Sequence, residues 1–147
     1  MITDKLTTFG MPVSLDTSGT GTEQIGEVID TGVTDHDLGV GYPFYFYISV
    51  ADAATSGGAA TAQFELVTAE DEAITTGVEV LATSKEFALA DMGEGEFLVA
   101  TTIPYGQYKR WLALRQVTET AAFTGGSVNA FLTQEPDRWR AYPEGLN

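Results

Sequence analysis

The side chains best suited to chemistry in this chain are His36, set between Asp35 and Asp37 in TDHDLG, and the acidic triplet Glu70, Asp71 and Glu72. An imidazole beside carboxylates can take a metal ion or move a proton. His36 is the only histidine and cysteine is absent, so a multi-histidine site, a thiolate site and a disulfide framework are all excluded. The cluster also lacks the ligand spacing of a calcium loop, and it reads as a solvated polar loop. The triplet supplies carboxylates of the kind glycosidases pair across a bond. Adjacent acids on one loop are more simply a solvated face. Glu94 and Glu96 flank Gly95 and read as turn residues. Gly19, Gly21 and Gly26 do not have the dinucleotide-binding spacing, and neither GK[ST] nor GxSxG occurs. The sequence therefore predicts no enzyme: no catalytic, cofactor-binding or metal-binding residues and no cofactor.

What remains is chemistry of contact. In residues 40–51, VGYPFYFYISVA, alternation puts Tyr42, Phe44, Phe46, Ile48 and Val50 on one face and Pro43, Tyr45, Tyr47, Ser49 and Ala51 on the other. The first face is core. Tyrosines on the second suit either contact with another protein or cover by a loop of the same chain. Trp111 and Arg115 lie on a second long apolar stretch, and Arg138, Trp139, Arg140 and Tyr142 crowd the C-terminal end. Trp, Tyr and Arg dominate interface hot spots. The candidate interface is accordingly Tyr45, Tyr47, Trp111, Arg115, Arg138, Trp139, Arg140 and Tyr142, with Trp111 more simply a core residue.

The elements that must position these residues are short strands. Residues 24–31 (QIGEVIDT), 60–69 (ATAQFELVTA), 78–81, 86–89, 96–103, 107–118 and 127–133 each carry strand patterning, and residues 8–15 form a short strand within an extended arm. Residues 60–69 read as the hairpin partner of 40–51, across a small-residue turn at 52–58. Residues 32–41, 70–77 and 120–126 read as loops. The stretch 107–118, QYKRWLALRQVT, is apolar on both faces, as expected of a covered central strand. About eight strands with turn signals between them predict an all-β, antiparallel jelly-roll β-sandwich, with an N-terminal arm at 1–22, the sandwich at 23–134 and an extended tail at 135–147.

Composition narrows the partners. The 147 residues fit one domain, with 44% hydrophobic and 19% charged content. The formal net charge is −14, which repels nucleic acid and anionic membrane and excludes both as partners. Residues 1–84 hold one Lys against 13 acids (−12), whereas residues 85–147 hold six basic and eight acidic residues (−2). Lys109, Arg110, Arg115, Arg138 and Arg140 make the second part locally basic, and an acidic surface with a basic patch can support self-association. The start MITDKLTTFG lacks a signal peptide's basic start and apolar run, and no stretch has the length of a membrane helix. A soluble protein made in a cytoplasm is expected.

The order of segments resembles a known family. MITDKLTTF, IGEVIDTG followed by DLGVGYPFYFYISV, TSGGAATAQFELVTAEDEA, and PYGQYKRWLALRQV followed by GGSVNAFLT together resemble the small capsid cement, or decoration, proteins of tailed bacteriophages, of the Bordetella-phage-like type on podovirus heads. The most specific pieces are DLGVGYP at residues 37–43, and YKRWLAL at 108–114 together with GGSVNAFLT at 125–133. The resemblance covers nearly the whole chain and fades after Thr133. It implies a jelly-roll subunit made in the bacterial host cytoplasm. This subunit forms a homotrimer on the outer capsid surface of the virion, touches neighbouring trimers and ties major capsid protein capsomers together. It implies no activity and no catalytic or metal residues. The competing expectation is a carbohydrate- or receptor-binding β-sandwich module of a phage fibre or secreted protein, and a small β-barrel hydrolase ranks below both.

Overall fold

A computed structural model of the chain describes residues 8–30, 36–37, 45–102 and 107–133. The described chain contains β1 (Thr8–Ser14), β2 (Gly21–Asp30), β3 (His36–Asp37), β4 (Tyr45–Ser56), β5 (Thr61–Ala69), β6 (Glu79–Thr83), β7 (Phe87–Ala88), β8 (Phe97–Thr102), β9 (Gln107–Tyr108), β10 (Trp111–Glu119) and β11 (Phe123–Thr133), with one 3-10 turn at Leu89–Asp91. One sheet has the order β1-β11-β4-β8. The other has β2-β10-β5-β6, with β7 also on β5. Every ladder is antiparallel. The chain alternates between the sheets in the strand order of a jelly roll, as the sequence predicts. The small β3–β9 ribbon ties the β2–β4 connection to the β8–β10 connection.

The strands form because their alternation supplies one continuous apolar layer. Phe46, Ile48 and Val50 of β4 and Val128, Ala130 and Leu132 of β11 face Ala62, Phe64 and Leu66 of β5 and Leu112 and Leu114 of β10 in a single core. Each large side chain sealed there contributes about 1.5–3 kcal/mol relative to exposure. At the sandwich corner β1 closes against β2. Gly26, at φ +74, brings its backbone so near Phe9 that a Cβ would sit 2.6 Å from the Phe9 carbonyl oxygen. The strand expected at residues 8–15 is thus β1, an edge strand of the sandwich itself, within the stretch read as arm. The tail at 135–147 lies outside the described residues.

Several pairings differ from expectation. β5 is not the hairpin partner of β4: it lies in the opposite sheet, on β10, while β4 pairs with β11 and β8. β4 and β10, the two long apolar stretches, therefore lie in opposite sheets. β4 continues through the expected turn to Ser56, and β11 begins at Phe123 inside the expected loop. Small residues permit this, since β4 and β11 approach so closely that a Cβ on Gly126 would lie 2.8 Å from the Ala54 Cα. The stretch 107–118 breaks at Lys109 and Arg110, which separate β9 from β10.

Two features sit outside the simple inside/outside pattern. Tyr47, on the face of β4 away from the core, is only 1% exposed. Its ring stacks on Phe131 at 5.0 Å and meets Phe97 edge-on at 5.5 Å, so β11, β4 and β8 build an aromatic layer on the outward face. Conversely, Gln116 is polar yet fully buried on the core face of β10. Its amide accepts from the Asp16 backbone N–H (3.0 Å) and donates to the Asp16 carbonyl (3.3 Å) and the Thr118 hydroxyl (2.8 Å). It pins the β1–β2 connection to the opposite sheet.

Two outcomes follow. Tyr47→Ala should destabilise the protein by about 3–4 kcal/mol, as removal of a sealed aromatic does, and Tyr45→Ala, at a half-buried site, by half that or less, read from denaturant midpoints. Gln116→Leu should cost about 2 kcal/mol by stranding the Asp16 backbone groups, and hydrogen exchange of the Asp16 amide should accelerate in that variant more than exchange in β4.

Candidate functional site

The strand register places Tyr45 and Trp111 at one end of the sandwich, with Tyr47 two residues further in and Arg115 at the middle of β10. Tyr45 pairs with Thr102 and Thr133, Trp111 with Asp30 and Ala69, and Thr8 with Phe131. The ends of β2, β5, β8 and β11 and the starts of β1, β4 and β10 therefore share this end. Both the segment before Thr8 and the segment after Thr133 attach to it. Arg138, Trp139, Arg140 and Tyr142 lie outside the described residues.

The four described candidates do not form one patch. Tyr45 and Tyr47 belong to the outward face of one sheet, and Trp111 and Arg115 to the outward face of the other. A sandwich points these faces in opposite directions. Tyr47 is sealed by its aromatic neighbours, while Tyr45 is half-buried. Trp111, half-buried, and the Arg115–Glu65 ion pair (3.5 Å) bracket Val67 and Ala113, which are both fully buried on that outward face. The Arg115 Nε is itself buried, with no hydrogen-bond partner among the described residues.

The cations at this end are held by the protein's own acids. Arg110 grips Asp30 in a bidentate pair (2.8 and 2.9 Å) and lies over the Trp111 ring at 5.0 Å. Hydrogen bonding and then charge from Asp30 push the Arg110 guanidinium further above its ordinary range. Lys109 reaches Glu79 (3.5 Å), Glu70 (4.0 Å) and the Gly77 carbonyl. The basic patch legible in the sequence at Lys109, Arg110 and Arg115 is thus neutralised where it stands, and the acids Asp30, Glu65 and Glu79 that do this carry no sequence signal of the role.

Two acids of the triplet have structural partners. Glu70 faces Lys109, and the Asp71 carboxylate accepts from the backbone N–H groups of Thr75 and Thr76 (both 2.8 Å) and from the Thr75 hydroxyl (2.5 Å). The Thr75 hydroxyl and then these backbone donors hold the Asp71 carboxyl below its ordinary range. The turn at Glu94–Glu96 extends the β4 ladder, with the Gly95 N–H donating to the Val50 carbonyl (3.0 Å) and the Val50 N–H to that of Glu96 (2.8 Å). His36 pairs with Tyr108 through the β3–β9 ladder. Among the described residues no group of three or more His, Cys, Asp or Glu side chains converges on a point that could hold a metal. Nor is any helix among them long and apolar enough to cross a membrane.

The described residues offer contact surfaces: two outward faces and a charged and aromatic end. No curated protein matches the chain. A family match runs from residue 17, in the β1–β2 connection, to residue 132, next to last in β11, and so takes in every strand but β1. By that match the chain belongs to the Bbp16 family, whose name points to a Bordetella phage protein.

Proposed function

We propose that this protein is a non-catalytic structural component of the phage particle, a cement or decoration subunit. It binds the outer surface of the head as a homotrimer and ties major capsid protein capsomers together. The observation that carries the reading is the family match over 17–132, which takes in the sandwich apart from its edge strand β1. The jelly roll, common among viral capsid and lectin domains, supports it, and so does the net charge of −14, which is unsuited to binding DNA inside a head.

The geometry suits a cyclic assembly. A ring of identical subunits uses heterologous contacts, in which two different patches of the chain meet. The opposed outward faces provide them, with Tyr45 on one and Trp111 and Arg115 on the other. Arg138, Trp139, Arg140 and Tyr142 then reach capsid protein or a neighbouring trimer. Repeated attachment around the shell multiplies weak individual contacts through effective concentration. A lectin-like role fits less well, because the Arg110 guanidinium occupies the Trp111 ring at 5.0 Å, where a sugar would stack.

The test adds purified protein to phage heads lacking it. Density should appear on the outer shell, and the free protein should sediment as a trimer. Trp111→Ala should weaken self-association by about tenfold or more. Deletion of residues 135–147 should abolish head binding while leaving the trimer. A free protein that stays monomeric, or that binds glycans and not heads, overturns the reading.

A further inference from the structure

We propose that the free edge of β8 is a docking strand for an extended, basic segment of a partner protein, which adds to the sheet as an antiparallel strand. This goes beyond the capsid reading and stands whether or not the partner is a capsid protein.

Apart from the two-residue β7, the outer strands of the two sheets are treated differently. β1 carries Pro12, shifts register twice along β11 and is packed against β2. β2 carries Glu23 and Glu27 and shifts register along β10. β6 opens on Glu79, held by Lys109. Charges, proline and irregular register are the devices that keep edges from pairing with other chains. β8, FLVATT, has no charge and no proline; among the described residues it pairs with β4 alone, with one register shift at its start, between Phe97 and Val99. Only Val99 of it is buried; Ala100, Thr101 and Thr102 are exposed, and Phe97 is 40% exposed. An antiparallel edge presents alternate N–H and C=O groups outward, ready for another strand.

Strand addition gains specificity from side-chain pockets beside the edge. Such a pocket lies at the start of β8, a groove of about 380 Å³ lined by Lys85, Phe87, Asp91, Glu96, Phe97 and Leu98. Its lining is mainly polar: Asp91 and Glu96 stand against Lys85, with Phe87, Phe97 and Leu98 as its larger apolar members. The two acids that line it, Asp91 and Glu96, are exposed, Glu86 and Glu94 are exposed in the flanking sequence, and the one cation of the lining among the described residues, Lys85, lies over the Phe87 ring at 5.4 Å. Charge decides the occupant. The β8 edge of a second copy, FLVATT, brings no cation to these acids, whereas an extended segment with Lys or Arg at its C-terminal end sets those charges against Asp91 and Glu96 when it runs antiparallel to β8.

The test titrates the full chain with an amidated synthetic peptide of alternating Thr and Val ending in two lysines, followed by backbone-amide NMR at low ionic strength. The amides of residues 97–102 should shift and those of β2 and β6 should not. Replacing the two lysines by glutamates should weaken binding by about fivefold or more, and Glu96→Gln by a smaller factor. Ala100→Lys should abolish the shifts, and Thr102→Lys provides the same block should the first variant unfold. Shifts confined to other strands, no shifts at millimolar peptide, or equal binding of the glutamate peptide overturns the proposal. So does sedimentation of the protein alone as a dimer that Ala100→Lys dissociates, since a second copy would then own the edge. Loss of head binding with peptide binding intact would overturn the capsid reading and leave this one standing.

Discussion

Burial of β4 and β11 on both faces is the constraint on which the rest of this structure depends. These strands lie at the centre of their sheet, and inward they give Phe46, Ile48, Val50, Val128, Ala130 and Leu132 to the core. Outward they stack Tyr47 on Phe131. A strand sealed on both sides cannot be an edge, so β1 and β8 are forced to the margins. The second sheet must then cover the core face with β10 and β5. The Gln116 side chain, fixed to both backbone groups of Asp16, draws the first connection over the open end of that core. Because burying an amide without partners costs about 1–3 kcal/mol, that bond set also fixes where the connection runs.

Much of this was legible from alternation. The inward sets of β4, β5 and β11 are those that the period-two pattern picks out, because side-chain direction in a strand is a local property. Partnership is not local. β4 and β5 are consecutive and look like a hairpin, yet the jelly roll sends them to opposite sheets through only Gly57, Gly58, Ala59 and Ala60. Small residues there are equally consistent with a tight turn and a crossover, so composition could not decide. The glycines at 125 and 126 read as loop for the same reason, although the structure uses them to let β11 pass close to β4. Of the candidate site, Tyr47 was placed on the correct face, but that its ring is sealed depends on Phe131 and Phe97, which are distant in sequence.

Charge follows a similar logic. The sequence separates an acidic first part from a locally basic second part, and the fold then superimposes them. Arg110 meets Asp30, Arg115 meets Glu65, and Lys109 meets Glu70 and Glu79. The more exposed of these pairs, Arg110–Asp30 and those of Lys109, stabilise little, typically under about 1 kcal/mol each. Their larger effect is on the surface potential. With these cations neutralised, the described surface presents an excess of carboxylates, and a negative field favours positively charged partners in both encounter rate and orientation.

That field also bears on how copies of this chain can sit together. Like-charged subunits repel most when identical patches face each other, as in a two-fold contact, and least when an acidic patch of one meets a different patch of the next. A cyclic arrangement with heterologous contacts avoids the first situation. It needs two distinct surfaces, and Trp111 with Arg115 on one outward face and Tyr45 on the other supply chemically different ones. The uncharged β8 edge borders the Tyr45 face, since Tyr45 pairs with Thr102. A partner strand laid on β8 would therefore extend that face rather than compete with the opposite one, so one subunit can present a sibling contact and a strand-accepting edge at the same time.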